Sequence, residues 1–256
     1  MIASLGMYDL APLQSANDRL WGHVRDGLRR CGIAAPEALT RGDAGYWAAW
    51  QSPDLVLSQT CGYPFRARLH PSVTLIGTPD YGVAGCAPGW YRSVFVARAG
   101  DARQGLAAFS GARFAFNEAL SQSGWAAPQT HAAAHGLHFP PAVQTGGHAL
   151  SAQAVAEGRA DLAALDAVTW EILRRHGPGL QDLKVVGTTD PTPGLPLIAA
   201  AGADADATFA AVAAGIAALT PADRDLLRLR GIVRIAAADY LAVPNPSAPA
   251  LPGTAA

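Results

Sequence analysis

The sequence predicts a two-lobed α/β protein in which each lobe is a mixed sheet flanked by helices. Short apolar runs alternate with longer amphipathic segments along most of the chain, a pattern typical of α/β folds. Two stretches rich in glycine and proline, 78–90 and 187–196, interrupt this alternation and enclose a central block with its own strand–helix–strand units. Both stretches fit surface loops equally well. As two hinge crossings they predict a clamp, because hinges absorb backbone change best where the chain is irregular.

The first lobe is predicted to begin with a strand at residues 2–7 and a helix at 17–31. The helix has one apolar face with residues at the i, i+3, i+4 spacing, namely Leu20, Trp21, Val24 and Leu28. Two short apolar runs at 54–58 and 73–77 then predict buried strands.

The central block is predicted to form the second lobe. Its predicted strands are 91–98, 113–117, 161–166 and 184–187, and its predicted helices are 125–136, 151–158 and 168–176. Ser151 fits the N-cap of the middle helix, and Gly158 fits its end.

The chain is then predicted to return to the first lobe with helices at 205–219 and 221–229. Thr220 fits the cap of the second of these, with Pro221 at its first position. Pro, Ala, Ser and Gly dominate the end of the chain, which predicts a disordered tail. The predicted domains are 1–80 and 191–243 for the first lobe, 81–190 for the second lobe, and 244–256 for the tail.

Composition excludes several classes of protein. Of the 256 residues, 50% are hydrophobic and 15% charged, which is too apolar for a disordered chain. The 19 basic and 20 acidic residues give a net charge of −1, so a general nucleic-acid binder is not expected. No apolar run approaches the roughly 20 residues of a membrane-spanning helix, so membrane insertion is not expected either.

The N-terminus and the cysteines bear on the compartment. The chain begins without a basic region or an apolar leader, so it is predicted to be cytoplasmic as written, or periplasmic if a leader was removed. Cys31, Cys61 and Cys86 are odd in number and lack metal-ligand spacing. They are predicted to be buried free thiols, with one disulfide as the alternative.

Two loops of the central block have the chemistry of an anion site. Ser121, Gln122 and Ser123 stand between a predicted strand and a predicted helix, where free backbone N–H groups and hydroxyls favour an anion. The alternative is a capping turn in which a serine satisfies those N–H groups. His148 follows two glycines in a second loop, from which its ring could reach a cleft; otherwise it is a surface histidine.

The remaining candidates are one carboxylate and three tyrosines. Asp166 ends an apolar strand, the position from which α/β proteins present side chains to ligands, although it could equally cap the following helix. Tyr8 ends the first predicted strand, Tyr63 follows the strand at 54–58, and Tyr91 follows the first Gly/Pro-rich stretch. Each tyrosine could instead lie at the edge of the core.

Six segments in the expected order resemble one family. They are DLVLSQTCGY (54–63), YRSVFVAR (91–98), LAAFSGARFAFN (106–117), SQSG (121–124), TGGH (145–148) and VAEGRADLAALD (155–166). Over residues 1–240 the chain is similar to the phosphate/phosphite/phosphonate-binding proteins of ABC transporters, which have the type II periplasmic-binding-protein fold. The resemblance implies a monomeric two-lobed clamp that holds a small oxyanion between its lobes and serves an ABC transporter permease, without catalysis, cofactor or metal.

The resemblance also implies a set of binding residues. They are Ser121, Gln122, Ser123, His148, Tyr63, Tyr91 and Asp166, to which we add Tyr8 from its place at a strand end. Gln122 stands where the family usually has a small hydroxyl residue, and the stretch 188–196 differs from the family's usual acidic turn. If Asp166 lines the pocket, it is expected to accept a hydrogen bond from a protonated oxyanion and to reject a fully ionised one.

Two other functions are compatible with these residues. Ser121 or Ser123 with His148 and Asp166 are the residue types of a hydrolase triad, but the Gly-x-Ser-x-Gly elbow is missing. A cytoplasmic sensor or precursor-binding protein with the same fold and a different ligand is the other alternative.

Overall fold

The computed structural model describes residues 1–176 and 180–251 and contains two compact units. Unit 1 consists of Met1–Trp90 and Pro193–Ala242, and unit 2 consists of Tyr91–Thr192 and the chain from Val243 onward. The chain therefore changes unit three times.

The strands and helices follow one another along the chain in an α/β pattern. The strands are β1 Ile2–Ser4, β2 Leu55–Gln59, β3 Val73–Asp80, β4 Trp90–Tyr91, β5 Ser93–Arg98, β6 Phe114–Phe116, β7 Pro141–Gln144, β8 Leu162–Asp166, β9 Leu183–Thr188, β10 Thr192–Pro193, β11 Leu197–Ala200 and β12 Gly231–Val233. The helices are α1 Gln14–Arg30, α2 Trp47–Trp50, α3 Gly62–Pro64, α4 Ala127–Ala134, α5 His148–Ala156, α6 Ala167–His176, α7 Ala205–Ala218, α8 Pro221–Leu227 and α9 Ala237–Leu241. Two π-type helical turns lie at Phe65–Leu69 and Gln122–Ala126.

Unit 1 is built on a five-stranded sheet in the order β1-β2-β11-β3-β12. β1 and β2 are parallel, whereas β11 runs antiparallel to both of its neighbours. One face packs on a core that includes Trp50, Phe65, Ile198 and Tyr240. The backbones of helices α1 and α7 approach closely where Gly215 faces Val24. Glycine permits this approach, because a Cβ on Gly215 would lie only 2.7 Å from Cγ2 of Val24.

Unit 2 is built on a second five-stranded sheet in the order β7-β6-β8-β5-β9. β6 is parallel to both β7 and β8, so the carboxyl ends of these three strands share one edge of the sheet. β5 runs antiparallel to β8, and its first residue, Ser93, lies opposite Asp166 at that same edge. Every residue of β8 is buried, as its continuous apolar sequence predicts for a strand covered on both faces.

Several sequence expectations need correction. The first strand ends at Ser4 because Gly6–Tyr8 forms a 3₁₀ turn. Ser151 is not an N-cap: α5 begins three residues earlier, and the buried Ser151 hydroxyl contacts Oγ1 of Thr145 at 2.7 Å. The three cysteines, all of them described, form no disulfide with one another, but only Cys61 is buried, because Cys31 lies exposed at the end of α1 and Cys86 is half-buried.

As far as the structure describes it, the predicted disordered tail belongs instead to unit 2. Residues 243–251 form no helix or strand, because their prolines cannot donate backbone hydrogen bonds. The indole Nε1 of Trp125 donates to the carbonyl oxygen of Ser247 at 3.0 Å. Residues 252–256 lie outside the described part of the chain.

Among the described residues, no single helix has the length and apolar character needed to cross a membrane. Helices α7 and α8 meet those criteria only as a pair bent by 113°.

Candidate functional site

The candidate side chains of unit 2 lie where its parallel strands end. Ser121–Ser123 follow β6, His148 follows β7, and Asp166 is the last residue of β8. The carboxyl edge of such a sheet is where α/β proteins bind their ligands. The sheet order therefore brings together residues that are far apart in the sequence.

Ser121 and its neighbours form a buried π-type turn. The Ser121 hydroxyl oxygen accepts a hydrogen bond from the backbone N–H of Gly124 at 3.0 Å, and the N–H of Ala126 donates to the carbonyl oxygen of Ser121 at 2.9 Å. Ser121 is thus the N-cap of this turn, the alternative that its sequence left open. Gln122 and Ser123 are also buried, and Nε2 of Gln122 lies 3.5 Å from Oγ1 of Thr192.

Ser123 and His148 are in direct contact. Oγ of Ser123 lies 2.9 Å from Nε2 of His148, the first residue of α5. Burial lowers the pKa of His148 to about 4, against an opposing hydrogen bond with the backbone of Ala164. At neutral pH the imidazole is therefore uncharged, and it forms with the serine a pair of neutral hydrogen-bonding groups.

Two residues that the sequence did not single out fix the position of the turn. Ser93 donates from its hydroxyl to the carbonyl oxygen of Ser123 at 2.8 Å. Asn117 accepts at its carbonyl oxygen from the N–H of Gly146 at 2.9 Å, and a Cβ on Gly124 would overlap Oδ1 of its side chain. The available signal for Asn117 was its place directly after a parallel strand.

Asp166 caps helix α6. Its Oδ1 accepts from the backbone N–H groups of Val168 at 2.7 Å and Thr169 at 3.0 Å. In a hydrolase triad the Asp166 carboxylate would accept a hydrogen bond from His148 and raise the pKa of its imidazole. The pKa of His148 is instead lowered. The geometry thus supports the capping alternative for Asp166 and gives no support to the triad.

Substitution of Asp166 separates the capping role from a ligand role. We expect Asp166→Ala to lower the free energy of unfolding by about 1 kcal/mol, the usual cost of a lost cap, and Asp166→Asn to be nearly neutral because asparagine also caps helices. Urea unfolding measures both. If the carboxylate binds ligand, Asp166→Asn will weaken ligand affinity although the fold is unchanged, which would contradict a purely capping role.

The tyrosine candidates lie in different parts of the molecule. Tyr91 is buried on β4 in unit 2, whereas Tyr8 and Tyr63 belong to unit 1. The ring of Tyr8 packs edge-on against Tyr81, with 4.8 Å between ring centroids, and the Tyr81 hydroxyl accepts from Nε2 of Gln59 at 3.1 Å. Sequence reasoning missed Tyr81 and Gln59.

Tyr63 lies in α3, directly after β2, and the guanidinium carbon of Arg66 lies 4.5 Å from its ring centroid. Within the described part of the chain, no three His, Cys, Asp or Glu side chains are grouped so that they could hold a metal ion.

Three solved structures share the fold. PhnD1 from Prochlorococcus marinus (MIT 9301), in complex with methylphosphonate, has a TM-score of 0.69 and 17% identity, covering 93% of this chain and 94% of that chain. XAC2383 from Xanthomonas citri, bound to chloride ion, has a TM-score of 0.68 and 17% identity, covering 93% of this chain and 92% of that chain. A binding protein component of an ABC phosphonate transporter from Pseudomonas aeruginosa has a TM-score of 0.65 and 16% identity, covering 94% of this chain and 82% of that chain. These likenesses establish the periplasmic-binding-protein-like fold.

Sequence comparison identifies the family. No curated protein matches the chain. A family model described as "ABC transporter, phosphonate, periplasmic substrate-binding protein" matches residues 51–241. This range includes the turn with Ser121 and Ser123, the residue His148 and most of the two sheets. The chain therefore belongs to the family of periplasmic phosphonate substrate-binding proteins of ABC transporters.

Proposed function

We propose that this protein binds a small phosphorus oxyanion of the phosphonate, phosphite or phosphate type and delivers it to an ABC transporter permease in the periplasm, without chemical change. The contact between Ser123 and His148 beside the buried turn is the observation that carries the proposal. Family membership supports the same ligand class.

The donors in unit 2 suit an oxyanion. The turn offers the hydroxyls of Ser121 and Ser123, the amide of Gln122 and the backbone N–H groups at its start, while His148 adds an imidazole. Hydrogen bonds to a charged group contribute about 1.5–3 kcal/mol each, so a few of them account for tight binding without a lysine. Tyr91, Tyr8 and Tyr63 stay predicted ligand residues.

A thermal-shift screen tests the proposal. The purified protein is mixed with phosphate, phosphite, methylphosphonate, 2-aminoethylphosphonate, sulfate, malate and ATP; the last two are included because fold neighbours were solved with malate and ATP. A ligand at 100 times its Kd stabilises the fold by about 2.7 kcal/mol, which raises the Tm by several degrees.

We expect a phosphorus oxyanion to stabilise the wild-type protein and to have a much smaller effect on Ser123→Ala. Ser110→Ala is the matched control, since Ser110 is an exposed serine of the same unit. If no phosphorus compound raises the Tm, and malate or another metabolite does, the fold serves a different ligand.

A further inference from the structure

The tail, residues 243–251, is bonded to the turn that carries the candidate binding residues of unit 2. It follows helix α9 of unit 1 but belongs to unit 2. The indole of Trp125 donates its N–H to the carbonyl oxygen of Ser247 at 3.0 Å. Trp125 lies within the π-type turn Gln122–Ala126, so one hydrogen bond joins the tail directly to the segment that contains Ser123.

The Trp125 side chain also packs on the strand end that holds both loops of the candidate site. Trp125 is only 4% exposed, and its ring centroid lies 5.0 Å from that of Phe116, the last residue of β6. The carbonyl oxygen of Phe116 accepts from the backbone N–H of Thr145 at 2.9 Å and from its hydroxyl at 3.2 Å. Thr145 lies three residues before His148. The indole therefore lies between the tail and the point where the two binding loops meet.

Both N–H groups of Trp125 are used, one within the turn and one by the tail. Its backbone N–H donates to the carbonyl oxygen of Ser121, the N-cap of the turn, at 3.2 Å. Its indole N–H donates to Ser247, whose own side chain is exposed, and none of the residues 243–251 is buried. Segments with few buried apolar groups open locally at little cost in free energy. The bond between Trp125 and the tail is therefore easily opened, although it acts on a buried residue of the turn.

We infer that the tail holds the turn Gln122–Ala126 in its ligand-binding conformation, and that Trp125 is the positioning residue through which it does so. This inference rests on the proposed function, in which Ser121, Gln122 and Ser123 hold the oxyanion. If the tail bond favours the binding conformation, bound ligand must strengthen the tail bond by the same factor. A bond that only stabilises the fold is equally strong with and without ligand, so this reciprocity separates the two roles.

The chain provides a matched control for substitution of Trp125. Trp170 is a buried tryptophan of the same unit, 6% exposed, and it lies on helix α6. Trp125→Phe and Trp170→Phe make the same chemical change, the loss of an indole N–H and of part of a ring, once at the turn and once away from it. Both variants are expected to lower the Tm without ligand by a few degrees, about 2–4 °C for each kcal/mol lost.

Isothermal titration with methylphosphonate and phosphite is the first experiment. We expect Trp125→Phe to weaken the binding of both compounds by about fivefold or more, the lower end of the usual range for coupling between two sites. Trp170→Phe should change either affinity by less than about twofold. Pro246→Gly loosens the tail through backbone entropy and leaves every residue of the turn in place, so it should weaken binding in the same direction by about twofold to threefold.

The indole N–H of Trp125 itself reports the reciprocal effect. The chain has six tryptophans, so this group gives one of six indole signals in a proton–nitrogen NMR spectrum, and Trp125→Phe identifies it by its loss. We expect saturating methylphosphonate to slow the exchange of this N–H with water by about fivefold. The indole N–H of Trp21, which donates to the carbonyl oxygen of Pro36 at 3.1 Å in unit 1, is the internal control and should not change.

Other results would overturn the inference. Wild-type affinity in both Trp125→Phe and Pro246→Gly would show that the tail only stabilises the fold, as would an indole exchange rate that does not respond to ligand. An equal loss of affinity in Trp170→Phe would assign the effect to general destabilisation. If Trp125→Phe does not fold, Pro246→Gly and the exchange measurement on wild type still decide. A wild-type protein that binds neither methylphosphonate nor phosphite would refute the proposed function instead.

Discussion

Replacement of Gly124 by alanine is expected to weaken oxyanion binding by about tenfold or more, because the new methyl group must displace the side chain that lies against the binding turn, or move the turn itself. The added Cβ would overlap Oδ1 of Asn117 and lie 3.2 Å from Oγ of Ser121. We expect the free energy of unfolding to fall by about 1–3 kcal/mol, the usual cost of overpacking. Titration with methylphosphonate and urea unfolding measure the two effects.

Two further variants make this test specific. Gly147→Ala is the matched control, because Gly147 precedes His148 in an extended conformation and its Cβ would meet nothing within 4 Å. In the double variant Gly124→Ala with Asn117→Ala the overlapping oxygen is gone, so part of the stability lost by Gly124→Ala should return. A Gly124→Ala protein that binds as tightly as wild type would show that the turn does not hold the ligand.

Oxyanion binding is expected to take up a proton at His148. In the unliganded protein burial holds the pKa of this imidazole at about 4, whereas an anion beside it favours the protonated form and raises the pKa. Titration at pH 6 in two buffers of different ionisation enthalpy measures the protons taken up. We expect uptake in wild type beyond that of the ligand itself, and its loss in His148→Gln.

The same group makes stability depend on pH. The pKa of His148 is about 4 in the folded protein and close to the ordinary 6.5 in the unfolded chain, so the unfolded state binds more protons between these values. The contribution of the uncharged His148 to the free energy of unfolding is therefore fully present above about pH 6.5. It is lost as the pH falls to about 4, by about 3 kcal/mol in all.

Urea unfolding at pH 7 and pH 4 shows whether His148 is responsible. We expect the difference between the two pH values to shrink in His148→Gln and to stay unchanged in His138→Gln, whose exposed imidazole lies in the same unit. A pH dependence that is equally large in His148→Gln would contradict the assignment to this histidine.

The elements that the sequence predicted well are those with a long periodic or continuous apolar pattern. The structure confirms the first helix and the strand at 161–166 to within three residues at either end. The prediction missed β7, β10, β11 and β12. β7 begins with a proline and lies at the edge of its sheet, and β11 is an apolar run of only four residues, too short to tell a strand from a helix.

The sequence predicted which loops carry the candidate site, but it did not predict which side chains contact one another there. The turn after β6 and the glycines before His148 carry recognisable patterns, whereas the contact between Ser123 and His148 depends on the order of strands in the sheet. The contact of Arg66 with the ring of Tyr63 gave no signal either, because arginine is ordinarily exposed and here it is buried.

The place of β11 in the sheet of unit 1 constrains the order in which the protein can fold during synthesis. β11 lies between β2 and β3, yet it is translated only after the whole of 91–192. Until then the nascent N-terminal segment has two strands with unpaired edges, which are prone to aggregation. Unit 2 is likewise incomplete until the residues around Ser247 reach Trp125. Neither unit can finish folding before most of the chain has left the ribosome, and such long-range pairing is intrinsically slow.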